Sequence, residues 1–111
     1  MKEIKAIVQP FKLPKIRSAL RHIQEFPGMS VDKIQGCGPS MPGMAGQDIK
    51  QELTDFSPKT RIEIVAPDHL VDEIVRTITE AAYTGQVGDG LVWVTPVEYM
   101  MRIQEKEDVT G

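Results

Sequence analysis

Cysteine, aromatic residues, excess positive charge and long apolar runs are all scarce in this chain of 111 residues. A single cysteine, Cys37, excludes an intrachain disulfide framework. Aromatics make up 5% of the chain, and the strand segments lack the paired exposed rings on which RNA-binding sheets stack bases. Lys and Arg number 13 against 16 Asp and Glu, a net charge of −3, which argues against a nucleic-acid binder with its basic stripe. Uncharged stretches fall far short of the roughly 20 residues of a membrane span. The N-terminal MKEIKAIVQP carries charges among its apolar residues and has no signal-peptide core. A soluble, cytoplasmic protein that is not embedded in a membrane is the expectation.

What is present suits one small domain, residues 1–111, with 41% hydrophobic residues. A chain of this size buries roughly 60–70% of its unfolded surface, so assembly with other copies would help it. KEIKAIVQ alternates as a strand, with Ile4, Ala6 and Val8 on one face. Pro10 ends it. A helix follows with Leu13, Ile16, Leu20 and Ile23 on one side, closed by Phe26-Pro27-Gly28. MSVDKIQ is a weaker strand. KTRIEIV, Lys59 to Val65, is a strand with Ile62 and Ile64 inward. Asp68 is a candidate N-cap for a second helix whose apolar face is Leu70, Ile74, Ile78 and Ala81. LVWV follows as a strand, Val97 to Ile103 as a short last strand, and EKEDVTG as a polar tail.

Two irregular segments break this pattern. GCGPSMPGMAGQ and the residues after it form a long aperiodic stretch, and such loops in compact domains are usually functional or disordered. TGQVGDG, Thr84 to Gly90, packs three glycines and one carboxylate before an apolar strand. A glycine turn of this kind can cradle an anion in backbone N–H groups. The halves also match: Ile7-Val8-Gln9-Pro10-Phe11-Lys12-Leu13 and Ile64-Val65-Ala66-Pro67-Asp68-His69-Leu70 share IV-x-P-x-x-L. In each the motif joins a strand to a helix. Two β-α-β halves give an α+β, ferredoxin-like βαββαβ sandwich.

KAIVQPFKL, KTRIEIV, PDHLVDEIV and TGQVGDGLVWV, with Arg102-Ile103 beyond, resemble the PII family of trimeric signal-transduction proteins. The resemblance implies a homotrimer without catalytic chemistry that binds an adenine nucleotide in clefts between subunits. A mobile loop, here 37–58, would dock on a membrane transporter or metabolic enzyme. It further implies a glycine turn over 84–91 and a C-terminal segment over 97–111. Nucleotide or anion binding falls by resemblance to Ile7, Ser30, Gly36, Cys37, Gly38, Lys59, Glu63, Ile64, Val65, Gly88, Asp89, Gly90 and Arg102. Pro39, Ser40, Met41, Met44, Gln47 and Asp48 would meet the partner.

The departures from the family pattern bear on the ligand. GDG-K becomes GDG-L at Leu91, G-x-G-R-Q becomes Gly36-Cys37-Gly38-Pro39-Ser40, and R-I-R becomes Arg102-Ile103-Gln104. The tyrosine-containing uridylylation stretch is absent. Each charged contact is worth roughly 1.5–3 kcal/mol, so losing three removes on the order of 4 kcal/mol or more, about a thousandfold in affinity. ADP or AMP, or a small anion such as bicarbonate, is therefore expected over Mg-ATP with 2-oxoglutarate, with no firm metal. The FPG turn and TPVE look closer to PII-like offshoots associated with carbon uptake or metal transport than to nitrogen regulators.

The same residues bear on other chemistries. Cys37, Met41 and Met44 form a soft set that could hold Cu(I) in a metal-binding ferredoxin-like trimer, or could be adaptable contact residues for a partner. A phosphoanhydride hydrolase would need an arginine cradle and a nucleophile–base pair, and no such spacing is present. His22 and His69 read as surface residues, and Trp93 as a core or interface residue.

Overall fold

The computed structural model describes residues 1–38 and 56–105. Four strands, β1 (Lys2–Val8), β2 (Ser30–Gly36), β3 (Ser57–Ala66) and β4 (Gly90–Pro96), form one sheet in the order β2-β3-β1-β4. All three pairings are antiparallel. Helices α1 (Leu13–Leu20) and α2 (Val71–Ala82) pack on one another and on one face of this sheet. The chain thus has the expected ferredoxin-like α+β architecture.

The alternation of β1 and β3 decides which face the helices cover. Ile4, Ala6 and Val8, with Ile62, Ile64 and Ala66, are all at most 1% exposed and meet Ile16, Leu20, Ile74 and Ile78 from the helices. Side chains between them, Lys5, Ile7, Arg61 and Glu63 among them, stand on the opposite, open face. Arg61 there donates to both carboxylate oxygens of Asp32, at 3.2 and 2.8 Å, and lies 3.2 Å from Glu63.

The internal repeat is real but sits one residue away from the matching letters. Gln9 and Pro67, not Pro10 and Pro67, are the equivalent corner residues before each helix. Each is followed by one 3-10 turn, Pro10–Lys12 and Asp68–Leu70, and then by the helix. With that offset Val8 matches Ala66, Ile16 matches Ile74 and Leu20 matches Ile78, all buried. The IV-x-P-x-x-L alignment would instead pair half-buried Ile7 on the open face with core Ile64. A slip of one residue turns every strand side chain to the wrong face.

Three other boundaries differ from expectation. Asp68 does not cap the second helix: it lies inside the 3-10 turn, Pro67 holds the cap position, and the Asp68 carboxylate instead meets the Met1 amine at 2.9 Å. The segment 97–103 is not a strand; β4 runs through Pro96, which an edge strand tolerates, and a 3-10 turn follows at Ile103–Glu105. The long loop ends earlier than expected, because Ser57 and Pro58 already pair with Gly36 and Gln35.

Candidate functional site

The glycine turn is built around Asp89. Its carboxylate accepts hydrogen bonds from the Thr84 hydroxyl, from the Thr84 amide at 2.7 Å and from the Gly85 amide at 2.9 Å. These bonds, the Thr84 hydroxyl first, hold the carboxyl below the ordinary aspartate range. Asp89 therefore organises the turn. Its own amide donates to the Gln86 carbonyl at 3.4 Å, and the Gln86 amide donates to the Thr84 hydroxyl oxygen. Among the described residues, the Val87 and Gly88 amides have no partner within the chain. They are the donors the turn can offer an anion.

Glycine at position 90 is a steric requirement. Its φ is +110°, and a Cβ there would lie 1.8 Å from the Ile7 carbonyl oxygen. That contact brings the turn down onto the end of β1. Gly88 follows the same plan: its carbonyl accepts Gln9 Nε2 at 2.8 Å and Lys59 Nζ at 3.2 Å. Lys59 reaches it from β3, its stem passing over Gly36 at the root of the loop, where a Cβ would stand 2.9 Å from Lys59 Cγ. Gly88, Asp89, Gly90, Lys59 and Gly36 are thus brought together, with Ile7 beside Leu91 on the neighbouring strand. Leu91 is 57% exposed and contributes no charge.

Ser30, Glu63, Val65 and Arg102 form a second group. They line one hollow of about 450 Å³ with Glu3, Gly28, Met29 and Met100. This hollow is at the other end of the sheet. Val65 pairs with Glu3, whereas Gly90 pairs with Val8, so about 17 Å of strand separates the two groups within one chain. Each group is incomplete. The turn end has amide donors and a lysine; the hollow has room, an arginine and two carboxylates.

Some expected residues stand apart from both groups. Ile64 is 1% exposed and points into the core, so only its main chain could face a ligand. Cys37 and Gly38 are exposed just past the end of β2. Pro39, Ser40, Met41, Met44, Gln47 and Asp48 lie outside the described residues. Gln9 and Thr84 were not singled out from sequence. A polar residue closing an alternating strand, and a threonine five residues before a turn aspartate, were the available signals.

No helix among the described residues is long and apolar enough to cross a membrane. The copper reading of Cys37, Met41 and Met44 gains no support: among the described residues Cys37 Sγ donates to the Gly38 carbonyl at 3.6 Å, and both methionines lie outside the described residues.

Comparison with known proteins agrees with this architecture. The family model "Nitrogen regulatory protein P-II" matches residues 1–107. The chain is 38% identical to nitrogen regulatory protein P-II of Azospirillum brasilense over 107 residues, 96% of this chain and 95% of that one. It is 40% identical to nitrogen regulatory protein P-II 1 of Escherichia coli (strain K12) over 108 residues, 97% and 96% of the two chains. It is 37% identical to nitrogen regulatory protein P-II of Haemophilus influenzae over 108 residues, again 97% and 96%. With the repeat, the glycine turn and nearly full-length similarity together, the chain belongs to the P-II family of signal-transduction regulators.

Proposed function

We propose that this protein is a cytoplasmic homotrimer that senses a small anionic effector between its subunits. The effector is an adenine nucleotide with one or two phosphates, or bicarbonate. Its binding alters the loop that follows β2 and ends before Ser57, and the loop grips or releases a membrane transporter or a metabolic enzyme.

The observation that carries this reading is the separation of two incomplete groups at opposite ends of one sheet. A closed ring of copies places one end of each subunit beside the other end of its neighbour. Lys59 and the Val87 and Gly88 amides would then face the hollow containing Ser30, Glu63 and Arg102. The amide donors and lysine suit phosphate, and the roomy hollow suits a nucleoside.

The charge at the turn supports fewer phosphates over more. Among the described residues Lys59 is the cation in contact with it, Leu91 is uncharged, and Arg61 is already held by Asp32 and Glu63. ATP carries more charge than this end can balance. Lys59 also connects ligand to loop, because its stem crosses Gly36 two residues after β3 begins. A ligand that draws its ammonium group away from Gly88 would favour one arrangement of the loop root over another.

Calorimetric titration with ATP, ADP, AMP and bicarbonate tests the proposal. ADP or AMP is expected to bind more tightly than ATP with Mg²⁺ and 2-oxoglutarate. Leu91→Lys is expected to tighten ATP about tenfold, the effect of one added charged contact. Heat from none of these ligands would remove the sensing role. Tightest binding of Mg-ATP with 2-oxoglutarate by the unaltered chain would contradict the ligand assignment.

A further inference from the structure

The Gly88 carbonyl receives two donors of different character, one from the corner after β1 and one from β3. Its two lone pairs accommodate both. Lys59 is long, flexible and charged, so an anion arriving at the neighbouring amides would compete for its ammonium group. Gln9 is neutral, and its backbone is fixed at the corner between β1 and the following 3-10 turn, with Pro10 next in the chain. It gains less from an anion than an ammonium group does, and keeps its bond to Gly88. Gly88 itself has φ +100° and no side chain, so beyond the neighbouring Asp89 bonds its restraint comes through its carbonyl.

The matching corner residue in the second half is Pro67, with similar dihedral angles and no donor side chain. The strand-to-helix corner therefore does not require glutamine. The side chain at position 9 serves something other than the corner.

We infer that Gln9 is a positioning residue: it holds the Gly88 turn in place while Lys59 leaves the carbonyl to meet a bound anion. This rests on the anion reading of the turn and assigns Gln9 a part in it. A braced turn presents its Val87 and Gly88 amides without first having to be ordered, which is where affinity is otherwise lost.

Two measurements test the inference. In the nucleotide-free protein, backbone relaxation of the Gly88 amide should report a rigid turn, with an order parameter near ~0.85, in the unaltered chain and in Lys59→Ala. In Gln9→Ala it should fall toward ~0.6. In AMP titrations, Gln9→Ala should weaken binding roughly three- to tenfold, the loss of one hydrogen bond. Gln9→Glu keeps the size of the side chain but loses the donor and attracts Lys59, so it should weaken AMP at least about tenfold at neutral pH. Unchanged Gly88 order in Gln9→Ala would overturn the inference, as would Gln9→Glu binding AMP like the unaltered chain. Failure of the unaltered chain to bind AMP or any of the other effectors would overturn the anion reading instead, and Gly88 order would still decide whether Gln9 braces the turn.

Discussion

The two halves of this chain turn the same corner with different residues. β1 ends at Val8 and β3 at Ala66, and the next residue in each takes extended backbone, φ −66° and ψ 134° at Gln9, φ −64° and ψ 152° at Pro67. Each half then makes one 3-10 turn and enters a helix. The positions that fill the core agree in character: Val8 with Ala66, Ile16 with Ile74, Leu20 with Ile78. The corner itself is free to differ. In the first half it carries a donor aimed at the glycine turn, and in the second it is closed by proline. A repeat of this kind constrains what packs between sheet and helices, and it leaves the sheet ends available for binding.

The sharpest way to break the correspondence is at the two helix-to-strand connections. Both use a glycine of positive φ, Gly28 at +102° and Gly90 at +110°. A Cβ at Gly28 would have no heavy atom within 4 Å, whereas at Gly90 it would lie 1.8 Å from the Ile7 carbonyl oxygen. Gly28→Ala should cost about 1–2 kcal/mol, the strain of the left-handed region. Gly90→Ala should cost more than about 4 kcal/mol or prevent folding, because backbone must move as well. Urea denaturation of both variants measures the difference.

The next largest effect tests the offset of the repeat. Ile16 and Ile74, both 0% exposed, occupy matching places in α1 and α2. Alanine at either should cost about 2–5 kcal/mol, and the two costs should agree within about 1 kcal/mol. A large disparity in denaturation midpoints would mean that the halves share a backbone but not a packing plan.

A smaller effect separates the two turns by pH. Asp89 is bonded by Thr84 and Gly85, and its folded carboxyl titrates below its ordinary value. A lowered folded pKa contributes stability above the unfolded value, and that contribution fades as pH falls through the acid range below about 4. Melting temperature should therefore climb more steeply from acid toward neutral pH in the unaltered chain than in Asp89→Asn. The smallest effect lies in the first half, where Glu25 has φ +64°. Glu25→Gly should stabilise by about 0.5–1 kcal/mol, visible as a small rise in melting temperature.

Much of this was legible from sequence where one face of an element is buried. Ile4, Ala6 and Val8 declared β1 by alternation, and Leu70, Ile74, Ile78 and Ala81 declared one face of α2. Gly-Asp-Gly announced a turn. The register of the repeat was not legible, because two prolines matched by letter while the helices begin one residue apart. The end of β4 was obscured by Pro96, which is acceptable only because that strand lies at an edge. Gln9 escaped notice because its partner, Gly88, is 79 residues away and offers a backbone carbonyl, which leaves no trace in residue type. The grouping of Ser30, Glu63, Val65 and Arg102 depended likewise on sheet order, not on spacing.

The central claim is that the turn end of one subunit and the hollow of the next make one site. Mixed assemblies test it most directly. Lys59→Ala chains and Arg102→Ala chains, each weak for AMP alone, are unfolded together, refolded and titrated. If the halves come from different subunits, random rings regain about a quarter of their sites at full affinity, those where both intact ends meet. If the mixture binds no better than the average of its two components, the two ends do not form a shared site, and the account is contradicted.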